Sequence, residues 1–150
     1  MNEQKLVKDI ANYAIEFKDN HYRLAFSYVR NADDALDIVQ EATYKAISRA
    51  ASLKNPGHLK TWFYRIIVNT ALDFIRKERR VRPTEDDLLE FLNTQVTDHY
   101  RDFDLEEALN QLPDEYRVVV ILRFFEDLKL KEVAEVLGEN INTVKSRLYR

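Results

Sequence analysis

The chain has 150 residues, enough for one ordinary domain or two small ones. Only 2 glycines and 3 prolines nearly exclude an all-β sandwich or barrel, which needs turn residues every ~8–12 positions. A hydrophobic content of 45% excludes global disorder, and the lack of cysteine excludes disulfides, a thiolate zinc site and a cysteine nucleophile. The net charge of −3 is unevenly spread. Residues 1–82 carry 15 Lys/Arg against 10 Asp/Glu, residues 83–113 carry 1 against 9, and residues 114–150 balance at 7 against 7. This division predicts two modules, 1–82 and 105–150, joined by an acidic linker over 83–104.

The first 20 residues interrupt every apolar run with charge, and no later run approaches a membrane span. The protein therefore reads as soluble and cytoplasmic. Amphipathic segments at Leu6–Phe17 and His21–Arg30 open a four-helix first module. Asn31 or Asp33 then caps a helix with apolar Ala35, Ile38, Val39, Ala42, Ala46 and Ile47 at 3- and 4-residue spacing. Its first turns hold Asp33, Asp34, Asp37, Gln40 and Glu41. Carboxylates there are favoured by the helix dipole, and no histidine or nucleophile accompanies them. A protein-binding face or plain capping explains them better than catalysis.

Pro56-Gly57 breaks the chain before a helix running from His58 to Arg80, with Leu59, Trp62, Phe63, Ile66, Ile67 and Phe74 on its apolar face. Residues 58–82 hold 7 Lys/Arg and 2 Asp/Glu. Aromatics interleaved with cations can stack unpaired bases and track a phosphate backbone; an ordinary core helix with a solvated basic end is the plainer alternative. Asn69 and Asp73 interrupt the apolar face and fit that alternative less well.

The acidic stretch from Pro83 to Asp104 reads as a linker with one loose helical turn at Leu88–Leu92. Four short helices follow: Leu105–Leu112, Asp114–Phe125 with Pro113 at its first position, Lys129–Leu137, and Asn142–Arg150. The run Val118–Leu122 is β-branched, but its neighbours and the Pro113-Asp114-Glu115 start favour helix. The last two helices have the parts of a helix-turn-helix. Ala134 is small at the crossing, Gly138 tolerates a positive φ in the turn, and Ile141, Val144 and Leu148 are apolar pegs. The outward residues Asn142, Thr143, Lys145, Ser146, Arg147 and Arg150 suit base edges and phosphates. A plain helical hairpin is the alternative for Ala134 and Gly138 alone; the pegs and the polar face together favour DNA binding.

Three segments in this order resemble the extracytoplasmic-function (ECF) sigma factors of bacterial RNA polymerase, within the sigma-70 family. They are Asp34–Glu41, Thr61–Ile66 with Asn69, Asp73 and Arg76, and Leu112-Pro113 with Tyr116 before the helix-turn-helix. Arg23–Tyr28 and Ile121–Leu128 are most similar to the sigma-V-like subgroup. The resemblance implies an all-α protein of two small helical domains, with no catalytic role and no metal or cofactor. It implies a core polymerase contact through Asp34, Asp37, Gln40 and Glu41 on the β′ clamp helices, and a second contact of the protein with the β flap.

The −10 promoter element would meet Lys54, Asn55, His58, Lys60, Thr61, Trp62, Arg65, Asn69, Arg76, Arg79 and Arg80. The −35 element would meet Asn142, Thr143, Lys145, Ser146, Arg147 and Arg150. The acidic linker would lie in polymerase near the RNA path. Family members serve cell-envelope stress responses and are restrained by an anti-sigma factor, often membrane-anchored. Ala42 and Thr43 depart from the bulky aromatic many relatives carry after the Gln-Glu pair. The competing reading is a helix-turn-helix regulator that does not join polymerase; it leaves the basic-aromatic helix and Asp37 without purpose. The final helix has 9 residues from Asn142, ~13 Å at ~1.5 Å per residue, so the sequence is expected to be a C-terminally truncated form.

Overall fold

The computed structural model describes residues 3–81 and 111–149. Among these are seven α-helices and no strand: α1 Glu3–Glu16, α2 Lys18–Val29, α3 Ala32–Ser48, α4 Leu59–Val81, α5 Asp114–Val120, α6 Leu130–Leu137 and α7 Ile141–Leu148. The expected linker and most of the expected Leu105–Leu112 helix lie outside the described residues.

α1 buries Leu6, Ile10 and Ala14, one residue per turn. α3 begins where the Asn31 side chain accepts the Asp34 N–H at 2.9 Å, the capping bond expected of asparagine. Its buried face is largely alanine (Ala35, Ala42, Ala46) with Ile38 and Val39, so α2 and α4 both pack close against it. Ile47, expected on that face, is instead exposed. α4 is the central element: Phe63, Tyr64, Ile66, Ile67, Val68 and Ala71 are all buried. Phe74, expected in the core, is only half-buried near its far end.

The C-terminal helices carry two differences from expectation. Pro113 has φ −55° and ψ 151°, so it caps α5 from outside and its carbonyl accepts the Tyr116 and Arg117 N–H groups. After Val120 the helix widens into a π-helical turn over Ile121–Phe125, closed by Glu126 N–H donating to the Ile121 carbonyl at 2.9 Å. The β-branched run is thus helical, but not α-helical throughout. α6 ends at Gly138, whose φ of 65° is left-handed, with the Glu139 N–H returning to the Ala134 carbonyl. α7 is capped by Asn140. Only Val144 of the three expected pegs is fully buried: Leu148 is half-buried, and Ile141, at the first helical position, is exposed.

The two groups of helices pack on one another, α6 against α4 and α5 against α2. No helix among the described residues is long and apolar enough to cross a membrane.

Candidate functional site

On α3, residues 37 and 44 are seven apart and therefore nearly eclipsed along the helix, with residue 40 between them. Asp37, Gln40 and Glu41 are exposed, and Asp34 is half-exposed. The same face presents Leu36 and Tyr44, the latter 73% exposed. It is therefore an acidic stripe with an exposed aromatic at its C-terminal end. Tyr44 is not among the residues expected from sequence, although its spacing from Asp37 and Gln40 marks it; the positions directly after Glu41 are Ala42 and Thr43.

The loop before α4 exposes Lys54, Asn55 and His58. Asn55 accepts the Gly57 N–H at 2.9 Å and fixes the turn. Along α4, Trp62, Arg65, Asn69, Asp73 and Arg76 recur every three or four residues and form one outward line. Trp62 and Lys60 are half-buried, and Asp73 pairs with Arg76 at 3.1 Å. Thr61 is only 4% exposed. It turns inward with the buried face of α4 and leaves the expected DNA-facing set. The backbone of Arg79 and Arg80 belongs to the last turns of α4. Beside this line, between α3 and α4, lies a cleft of about 350 Å³ lined by Lys45, Arg49, Asn69, Thr70, Asp73 and Arg76 among others. Lys45 donates to the Thr70 hydroxyl at 3.3 Å across it. Lys45 and Arg49, not singled out from sequence, give the cleft its cationic wall.

Two of these residues are already engaged. His58 Nε2 lies 2.8 Å from Glu135 Oε1, and Arg65 Nη1 donates to the Glu135 carbonyl at 3.2 Å. Both contacts come from α6.

On α7, Asn142, Lys145 and Ser146 are exposed, and Thr143 and Arg147 are half-buried. Arg147 is tied to its own neighbourhood, 3.5 Å from Glu139 and 3.7 Å from Glu115. Arg150 lies outside the described residues. No group of side chains that could hold a metal ion occurs among the described residues.

Residues 16–81 match the family Sigma-70 region 2, and residues 102–150 match Sigma-70, region 4. Together these define a sigma-70-type initiation factor. The chain is 57% identical over 135 residues to RNA polymerase sigma factor SigV of Bacillus subtilis, covering 90% of this chain and 81% of that protein. It is 34% identical to ECF RNA polymerase sigma factor SigE of Mycolicibacterium smegmatis, over 88% of this chain and 54% of that one. Among solved structures, the sigma factor RpoE in complex with the anti-sigma factor NepR from Bartonella quintana matches with a TM-score of 0.74 and 25% identity, over 95% of this chain and 91% of that one. CnrH in complex with the cytosolic domain of CnrY has the same fold (TM-score 0.68, 19% identity, 99% and 88% covered). The chain belongs to the ECF sigma factors of bacterial RNA polymerase and is SigV-like among them. Its function is to bind core polymerase and direct promoter-specific initiation, a subunit's role within a family that is not one of enzymes. This excludes the reading as a regulator that works apart from polymerase.

Proposed function

We propose how that activity is divided over the surface. The acidic stripe of α3, with Asp34, Asp37, Gln40 and Glu41 leading to Tyr44, docks on the β′ clamp helices. The loop with Lys54, Asn55 and His58, the α4 line of Trp62, Arg65, Asn69 and Arg76, and the cationic cleft beside it open and read the −10 element. α7 reads the −35 element through Asn142, Thr143, Lys145 and Ser146, with its module resting on the β flap. The domains follow the charge division, 1–82 and 105–150.

The observation that carries this is the segregation of charge on the N-terminal helices. The acidic stripe lies on the outward face of α3 and ends at Tyr44, while the cationic cleft lies between the C-terminal end of α3 and α4, beside the aromatic-cationic line of α4. A protein surface with basic grooves suits the first, and unpaired bases on a phosphate backbone suit the second. The likeness to a sigma factor bound by an anti-sigma factor supports such a restraint here, and we assign its partner to the inner face of the membrane.

The test is a titration of core polymerase with the double variant Asp37→Ala, Gln40→Ala. Affinity should fall tenfold or more, about 1.4 kcal/mol, with helicity unchanged. Unaltered binding removes the docking assignment. Asn69→Ala should bind polymerase normally yet show weaker permanganate reactivity at the opened −10 region; unchanged opening removes the −10 assignment.

A further inference from the structure

Glu126 sits at the end of the π-helical turn, and its side chain is fully buried. Its described partners all come from the other group of helices. Asn20 Nδ2 donates to Oε1 at 2.7 Å, the Tyr64 hydroxyl donates to the same oxygen at 2.9 Å, and Arg23 Nη1 lies 3.3 Å from Oε2. The next residue, Asp127, has a left-handed φ of 58°, uncommon for a residue with a Cβ. The widened turn and that backbone together aim the carboxylate across the seam. Arg117, 2% exposed, crosses in the same sense and donates to the Ser27 carbonyl through Nε and Nη2 at 3.1 and 2.7 Å. At the outer rim of the same seam, Glu135 pairs with His58 through its carboxylate and with Arg65 through its carbonyl.

A buried ion is costly unless its partners are well placed, and it recovers its hydration when the surfaces part. The seam carries apolar packing as well, since buried residues of both groups belong to one hydrophobic cluster, but Glu126 and Arg117 tie it to one geometry, because each loses its partners when the surfaces shift. We propose that Glu126 is the pin of an intramolecular closed state, formed without any partner protein. In that state Glu135 engages the His58 ring and the Arg65 guanidinium, which stay exposed, and so competes with nucleic acid for them; release of the pin frees both. The consequence for DNA rests on the −10 assignment above; the pin itself does not.

The chain has no cysteine, so cysteines introduced at exposed Glu16 and Lys131 accept a dye pair at those two places alone. In the full chain, Glu126→Gln keeps the shape of the carboxylate and removes its charge. It should lower energy transfer between the dyes and raise affinity for a mixed-sequence single-stranded DNA about fivefold or more. Arg23→Gln, at a half-exposed position, removes the cation opposite Glu126 Oε2 and should shift both readings in the same direction by a smaller amount. It decides the matter if Glu126→Gln fails to fold. Transfer unchanged in the folded variants overturns the pin. Transfer that falls with no gain in DNA affinity leaves the pin standing and overturns the masking, together with the −10 role of His58 and Arg65.

Discussion

Two buried regions lie side by side in this molecule and are built from different materials. Inside the N-terminal helices, His21 stacks on Phe63 with ring centroids 4.5 Å apart, and Tyr13 closes on both rings at 5.2 and 5.3 Å. The seam to the C-terminal helices adds the charged Glu126 and Arg117 to its apolar contacts. Tyr64 belongs to both: its ring meets His21 edge-on at 5.4 Å, while its hydroxyl donates to Glu126. Burial first, and the Glu126 carboxylate second, push the Tyr64 phenol well above its usual range, so it remains a donor. Apolar packing loses its benefit only when the chain unfolds. Charged groups made dry by docking regain water when they separate. The first region therefore holds a module together, and the second holds two modules together reversibly.

The strongest way to break the comparison is at its apolar end. Phe63 is fully buried, and Phe63→Ala should cost about 3–5 kcal/mol. Urea unfolding followed by far-UV circular dichroism should show the N-terminal helices melting much earlier. Glu126→Gln should move the dye pair apart with little change in that curve. Equal loss of helix in both variants would merge the two regions into one cooperative unit.

The same aromatic region makes a prediction about pH. Neither ring nitrogen of His21 has a partner among the described residues, and burial pushes its pKa down to about 4. The groups facing it are the Tyr13 and Tyr64 phenols, both raised and neutral. The unfolded chain takes up a proton below about pH 6.5 while the folded chain does not. Stability present at neutral pH is therefore lost as the pH falls from about 6.5, and the loss is complete near pH 4. It amounts to about 3 kcal/mol. The parent's urea midpoint should fall relative to that of His21→Phe as the pH falls across this range, because only the parent carries the titrating ring. Parallel curves would show that His21 is protonated in the fold.

Much of this was legible in the sequence, for local reasons. The Asn31 cap, the Gly138 turn and the alanine face of α3 depend on residues a few positions apart. The acidic and cationic faces were likewise readable from spacing. What the sequence concealed is long-range or turns on one extra residue. Thr61 was grouped with its DNA-facing neighbours, although one step along a helix rotates a side chain by about 100° and into the core. The π-helical turn adds a residue without any glycine or proline to mark it, and it is this turn that sends Glu126 across the seam. Glu126 itself is one of 7 acidic residues balanced by 7 basic ones in residues 114–150; nothing local distinguishes a carboxylate that will be buried against helices 62 to 106 residues away.

The smallest expected effect sharpens the comparison within the seam. His58 and Glu135 pair at 2.8 Å, but their side chains are 52% and 43% exposed. A pair so wet contributes about 0–1 kcal/mol and is weakened by salt, whereas the Glu126 carboxylate is fully buried, with only its Arg23 partner 45% exposed, and is screened less. Glu135→Ala should therefore loosen docking slightly at low salt and not at all at high salt, read by the same dye pair. The response of the parent to salt should be of the same small size and should vanish in Glu135→Ala. If that variant separates the modules as fully as Glu126→Gln, the rim and not the buried carboxylate holds the seam, and the contrast between its dry centre and wet edge fails.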